Sequence, residues 1–257
     1  LGWSRGLGDV YKRQLLDDLN HDALLLVDCI ASLACDEFQM DSWGADVMVA
    51  ACQKGLMVPP GVSFVFFNQK AKDLQSSLKL VSSYWDWAPR INPDYYYKYF
   101  GGTAPTHHLY GLNVALDMIL KEGIEAVWRR HEVLASAIWA AIESWEKGGE
   151  LKANIQDKKL RSAAVTSLHV QTPKGTHIRK WLQANTGLTI GIGLGMATPN
   201  DPNGDGYFRL GHMGHVNAQM IMALIATLET AMIAVGVPHG NNAINKAASI
   251  IAKFSKP

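Results

Sequence analysis

Residues 47–61 read VMVAACQKGLMVPPG. A run of small and branched apolar residues ends in Gln53-Lys54-Gly55, and a proline pair and a further glycine follow. Short continuous apolar runs mark strands buried on both faces, and the Gly/Pro cluster marks the turn that ends one. A charged amine at the end of a buried strand belongs in water unless an anion or a covalent partner meets it there. How Lys54 is accommodated decides how the rest of the chain is read.

Upstream, ALLLVD (23–28) is a second short apolar run, and DEFQMDSWG (36–44) between the two has the polar-aromatic mix of a short helix or turn. Two buried strands joined by a crossover predict a parallel pair whose ends lie at the same sheet edge. Asp28 and Lys54 then stand at the carboxyl ends of neighbouring strands, where open α/β sheets bind ligands. Downstream, VSFVFFN (62–68) predicts a third strand. The stretch from Ser82 to Thr106 is too rich in Trp and Tyr for a disordered linker.

Leu109, Leu112, Leu116 and Leu120 recur at helical steps and predict a helix over 108–121. A longer helix follows from Gly123 to Lys147, stopped by Gly148-Gly149. Beyond it SAAVTSLHV (162–170), LTIGIG (188–193) and GYFRLGH (206–212) predict strands. THIRKWLQANTG (176–187) predicts a helix closed by Gly187, and 217–237 and 241–254 predict two closing helices. The expected organisation is a large domain over 15–150 and a small α+β domain over 151–257. Residues 1–14 have neither helical nor strand periodicity and read as a non-native segment joined to the chain.

Composition excludes several classes. The chain is 48% apolar and 18% charged, with 24 Lys+Arg against 23 Asp+Glu, which gives no basic footprint for nucleic acid or a membrane surface. The longest apolar stretch, Met220–Val237, carries Glu229 and Thr227 and reads as a packed helix, not a span. Cys29, Cys35 and Cys52 follow no CxxC spacing and read as reduced thiols of a cytoplasmic protein. The terminal FSKP is not a peroxisomal address.

Spacing alone leaves two readings of Asp28 and Lys54: a structural salt bridge, or a pair in which the lysine holds an aldehyde and the acid a protonated pyridine nitrogen. The segments LLLVDCIASLACDEFQMDSWGADVMVAACQKGLMVPPGVSF (24–64), GGTAPTHHLYGLNVALDMILKEG (101–123) and FRLGHMGHVN (208–217) together resemble the class V aminotransferases that use pyridoxal 5'-phosphate (PLP). The serine/alanine–glyoxylate and pyridoxamine–pyruvate types stand nearest. The resemblance covers residues 22–240 and implies an α/β, aspartate aminotransferase-like (type I PLP-transferase) fold, with an incomplete large domain of mostly parallel sheet and a small C-terminal domain.

It further implies transfer of an amino group from serine or alanine to a 2-oxo acid such as glyoxylate or pyruvate, in a homodimer with shared active sites. Lys54 would be the Schiff-base lysine and proton shuttle, and Asp28 the partner of the pyridine nitrogen. Gln53 would lie beside ring and phosphate. Thr103 and the Gly102 amide would contact the phosphate of the other subunit's cofactor, and Arg209 would grip the substrate carboxylate.

Three departures from the family pattern stand out. Cys52 occupies a position where a small hydroxyl or glycine is usual, and Phe100 one where a phosphate-binding tyrosine is frequent. The family's portion before "VD", with a phosphate turn and a ring-stacking aromatic, is not found. A reading of another class therefore stays open, in which the chain is a truncated remnant serving as a dimerisation or binding module. Cysteine desulfurases share the fold, but they carry His before the lysine and a later cysteine, whereas no cysteine here follows Cys52.

Other motifs carry less. DPNGDG (201–206) opens like a calcium loop but has His212 at the twelfth position, where a bidentate Glu is needed, so it reads as a polar hairpin. His212 and His215 lack a third clustered metal ligand and read as loop or helix-start residues. GIGLG (191–195) lacks the last glycine of a dinucleotide fingerprint and reads as a turn. Trp85 and Trp87 either line a substrate entrance or simply pack.

Overall fold

The computed structural model describes residues 7–79 and 81–254. They form two compact units, one of residues up to 33 together with 37–122, the other of residues 34–36 together with 123 onward.

The first unit is built on a three-stranded sheet, β1 (Leu26–Asp28), β2 (Val47–Ala51) and β3 (Ser63–Phe67), in that order. β1 and β2 are parallel, with Asp28 opposite Val49. β3 runs antiparallel to β2, with Ser63 opposite Ala51. The expectation that β1 is buried on both faces is corrected. Val27 turns inward with Cys29, Met48 and Ala50, but Leu26 is 64% exposed and Asp28 shares its face. The run is apolar throughout, yet among the described residues nothing covers that side.

Of the segment read as non-native, residues 1–6 lie outside the described residues. Residues 7–14 begin a helix, α1 (Leu7–Asp18), despite their lack of apolar periodicity. Arg13 on this helix bonds Asp17 one turn on and reaches Asp46 at the start of β2. Asp46 is buried and accepts from three sources: Arg13 Nη1 and the Leu25 amide at Oδ2, and Asn68 Nδ2 at Oδ1. Such a carboxylate is tolerable inside only because its oxygens are so met. Gly44 has φ +68, and a Cβ there would come within 2.7 Å of Arg13 Cγ, so only glycine lets the arginine stem cross.

Asn68 also caps α2 (Gln69–Ser77), accepting from the Ala71 amide. Sequence periodicity missed this helix because it buries one residue, Ala71. α3 (Thr106–Glu122) follows as expected and packs Leu112 and Ala115 onto Cys52 and Val58.

Gly123, at φ +87, breaks the chain between α3 and α4 (Ile124–Glu146). Val127, His131, Leu134, Ile138, Ile142 and Trp145 form the buried stripe of α4, at the three- and four-residue steps of an amphipathic helix. By contacts α4 groups with the C-terminal unit, and the units divide at Glu122/Gly123.

The second sheet runs β4–β5–β7–β6, antiparallel throughout: β4 (Lys152–Ala153), β5 (Val165–His169), β6 (Gly191–Ile192) and β7 (Tyr207–Gly211). One face, with Leu168, Phe208 and Leu210, enters a core shared with α4, α5 (Lys174–Thr186), α6 (Ala218–Ala234) and α7 (Ala243–Phe254). α5 ends on Gly187 in the left-handed conformation, as its sequence predicts. At the end of α4 the chain returns so closely that a Cβ at Gly149 would overlap Pro238 O and one at Gly240 would overlap Ser144 O.

Candidate active site

Lys54 sits in the loop 52–62 that joins β2 to the antiparallel β3. The loop is held by its own backbone. Cys52 N donates to Val62 O, Val58 N to Cys52 O, and Met57 N to Lys54 O, with Met57 at φ +62 closing the turn. Cys52 is buried; its thiol donates to Pro59 O at 3.0 Å and accepts from the Val62 amide. The cysteine therefore replaces a small hydroxyl in a purely structural bond, stapling the base of the turn. From α3, His108 Nε2 meets Pro60 O at 3.0 Å, and a Cβ at Gly61 would overlap that imidazole.

Lys54 is half-buried, and among the described residues its amine forms neither a hydrogen bond nor an ion pair. Asp28 is exposed at the end of β1, and its Oδ1 accepts from the Ile30 amide at 2.8 Å, a turn that fixes the carboxylate where the strand ends. The salt-bridge reading of the pair is thus overturned: Asp28 ends β1 and Lys54 follows the end of the neighbouring β2, each without a charged partner among the described residues. Gln53 is exposed beside Lys54. Gly102 and Thr103 are exposed just ahead of α3, with nothing within 4 Å of a Cβ built at Gly102. Phe100 packs edge-on against Tyr96, with ring centroids 5.9 Å apart. Trp87 stacks on Phe67 at 4.6 Å, whereas Trp85 is 71% exposed against the edge of Tyr84.

In the C-terminal unit, Arg209 lies on β7 opposite Ser167 of β5 and Gly191 of β6. Its Nε donates to Ile192 O at 2.7 Å, and among the described residues its terminal nitrogens meet no partner. A free planar fork on the sheet face opposite the core suits a carboxylate. The GIGLG stretch is a short strand followed by a turn, with Leu194 N donating to Ile192 O.

His212 lies in the loop just after β7, in keeping with its reading as a loop or helix-start residue, but it is no surface residue. It is fully buried, with Nδ1 donating to Ala163 O at 2.8 Å and Nε2 accepting from Thr166 Oγ1, which in turn accepts from Trp139 Nε1. Nearby, His131 donates from Nδ1 to Val127 O and accepts the Gly214 amide at Nε2. Asp36 accepts from Ser162 Oγ and the Ala163 amide, completing a polar network that sequence spacing did not announce.

Burial pushes His212 down from its ordinary 6.5 to about 4, with the hydrogen bond to Ala163 opposing and His131 reinforcing the shift. Because the unfolded chain takes the proton first, stability is full above 6.5 and is lost as pH falls towards 4. The loss is about 3 kcal/mol. Urea unfolding midpoints measured between about pH 7.5 and pH 4 should show this fall, and His212→Gln should flatten it. A midpoint independent of pH in the parent chain would contradict the assignment.

Asp201 opens a self-capped loop. Burial raises its carboxyl, but hydrogen bonds from the Gly206 and Asp205 amides and Thr172 Oγ1, with His169 nearby, outweigh this and hold it below the ordinary carboxylate range. Its oxygens serve the loop's own amides. Burial also raises the Cys35 thiol to about 12, against a Gly214 backbone hydrogen bond, so it is inert at neutral pH.

These strand ends and the antiparallel C-terminal sheet give the chain an α/β architecture of the type I PLP-transferase fold. Pyridoxamine–pyruvate aminotransferase from Mesorhizobium loti superposes with a TM-score of 0.77 at 24% identity, over 94% of this chain and 60% of that one. Serine–glyoxylate aminotransferase of Arabidopsis thaliana is 34% identical over 232 residues, which is 88% of this chain and 54% of that protein. L-aspartate–glyoxylate aminotransferase of Paracoccus denitrificans is 33% identical over 229 residues, with the same coverage of 88% and 54%. The chain spans about half the length of the curated relatives it matches. The aminotransferase class-V family model matches residues 13–203, and the chain belongs to that family.

Proposed function

We propose that the protein is a PLP-dependent transaminase that moves an amino group from a small amino acid, serine or alanine, to glyoxylate or pyruvate. The observation that carries this reading is that Lys54 is half-buried, with its amine unpartnered among the described residues, at the same parallel sheet edge as the Asp28 carboxylate. The names of the relatives, serine–glyoxylate and L-aspartate–glyoxylate aminotransferase, support the choice of acceptor.

The residues present fit the cofactor: an amine for its aldehyde, a carboxylate for its ring nitrogen, and an open glycine amide with the Thr103 hydroxyl for its phosphate. PLP when bound supplies an electron sink that acidifies the Cα hydrogen of an amino acid. Lys54 would hold the cofactor through Nζ. Its Nζ, when free, would take the proton from the donor's Cα as general base and give one back to that carbon as the acid in the reverse half. Asp28 holds the ring N–H, and Gln53 lies alongside. Gly102 and Thr103 bind the phosphate of a second subunit's cofactor, so the working form is a homodimer. Arg209 orients donor and acceptor through their carboxylates. Three buried free cysteines suit a reducing, cytoplasmic location, and among the described residues no helix is long and apolar enough to cross a membrane.

The test is chemical. The purified chain is incubated with PLP, reduced with borohydride and digested. Label confined to the peptide carrying Lys54 is the expected result. Label scattered over surface lysines would remove the catalytic reading and leave the chain a dimerisation or binding module.

A further inference from the structure

Arg209 lies in the middle of the open face of the C-terminal sheet, and what surrounds it there bears on how a substrate is gripped. Side chains directly opposite on antiparallel strands stand about 5 Å apart at Cβ. Ser167 is the residue opposite Arg209 on β5, and both point away from the buried Thr166, Leu168, Phe208 and Leu210. On the other side Gly191 offers no side chain, and a Cβ there would already stand 3.3 Å from that of Arg209. Arg209 therefore leans over β6, where Nε finds Ile192 O, and the space between its fork and Ser167 is left to other atoms.

The Ser167 hydroxyl is half-buried and its acceptor is poor. It donates to Met196 Sδ at 3.7 Å, and a thioether is among the weakest acceptors in a protein. Met196 follows β6 in the chain, so its side chain reaches from the β6 side of the sheet across β7 to β5. That path passes the strand that carries Arg209. Met is unbranched and readily changes rotamer. A carboxylate offers about four lone-pair sites, of which a guanidinium fork takes two.

We infer that Ser167 is a second donor to the substrate carboxylate, its hydroxyl turning from Met196 Sδ to a carboxylate oxygen held by Arg209. This rests on the reading of Arg209 given above, and it makes the carboxylate site a two-residue clamp across β5 and β7. No bond is made or broken; a weak O–H···S contact is exchanged for a charge-assisted O–H···O one.

The experiment titrates pyruvate into the full chain and into Ser167→Ala, Ser167→Thr and Arg209→Gln, following binding by calorimetry and folding by circular dichroism. Expected is a Kd for pyruvate raised roughly tenfold in Ser167→Ala, as for loss of one hydrogen bond to a charged group. Ser167→Thr, which keeps the hydroxyl, should recover most of the affinity, and Arg209→Gln should lose it. A Ser167→Ala chain that binds pyruvate like the parent, while Arg209→Gln does not, overturns this inference and leaves the Arg209 reading intact. Loss of affinity in Ser167→Ala that Ser167→Thr does not recover also overturns it, since the effect would then come from packing. Pyruvate binding indifferent to Arg209→Gln overturns both.

Discussion

Lys54→Ala is expected to keep its fold and lose transamination by about four orders of magnitude, the upper range for a positioned acid–base group. The side chain bears no structural bond among the described residues, and the bond that closes its turn, Met57 N to Lys54 O, is made by the backbone. Folding should therefore be indifferent, while the covalent hold and the proton shuttle proposed for Lys54 would be lost together. Serine and glyoxylate turnover, measured beside the circular dichroism spectrum, separates these effects. Lys54→Arg keeps the charge but offers no neutral amine, and it should be equally inactive. A Lys54→Ala chain with turnover near that of the parent would remove the lysine from the mechanism.

Trp145→Ala is expected to be the most destabilising of the simple truncations. The indole is wholly buried in the C-terminal core, near the end of α4, and its Nε1 donates to Glu229 Oε2 at 2.8 Å. Emptying such a site costs about 3–5 kcal/mol, and Glu229 then loses the donor that satisfies it. Trp145→Phe retains most of the ring volume and should recover more than half of the loss, which isolates the share owed to the hydrogen bond. Urea unfolding of both variants reads the difference directly. Equal midpoints for Trp145→Ala and the parent would mean that the α4 stripe does not anchor this unit.

Much of the architecture is legible in the chain because it rests on contrast. The β2 run ends sharply at Gln53-Lys54-Gly55, Leu109 to Leu120 keep helical step, and Gly187 marks its own helix end. Elements without contrast escape: α1 and α2 have almost no apolar stripe, and they are held by Arg13 and by Asn68, which both reach Asp46 far along the sequence. β4 is two residues long and exists through pairing with β5. The exposure of Leu26 was illegible for another reason, since an apolar residue type states a preference for burial without naming what supplies it.

The candidate site divides the same way. Asp28, Lys54 and Arg209 stand at the ends or centres of readable strands, so their placement follows from the pattern. Gly102 and Thr103 lie in irregular chain ahead of α3, where only the resemblance singles them out. His212 reads correctly as a loop residue, but its burial does not, because that is decided by Thr166, Ala163 and, through Gly214, His131, most of them far from it in sequence. Ser167 drew no notice, since in sequence it is one polar residue in an alternating strand.

Asp46 makes the extreme beginning of the described chain matter for how the protein is handled. A clone trimmed to start at β1 would remove Arg13 and leave the buried carboxylate with only the Leu25 amide and the Asn68 side chain as donors. The strand that leads into the Lys54 loop begins at the residue after Asp46, so trimming α1 would loosen the base on which that loop is built.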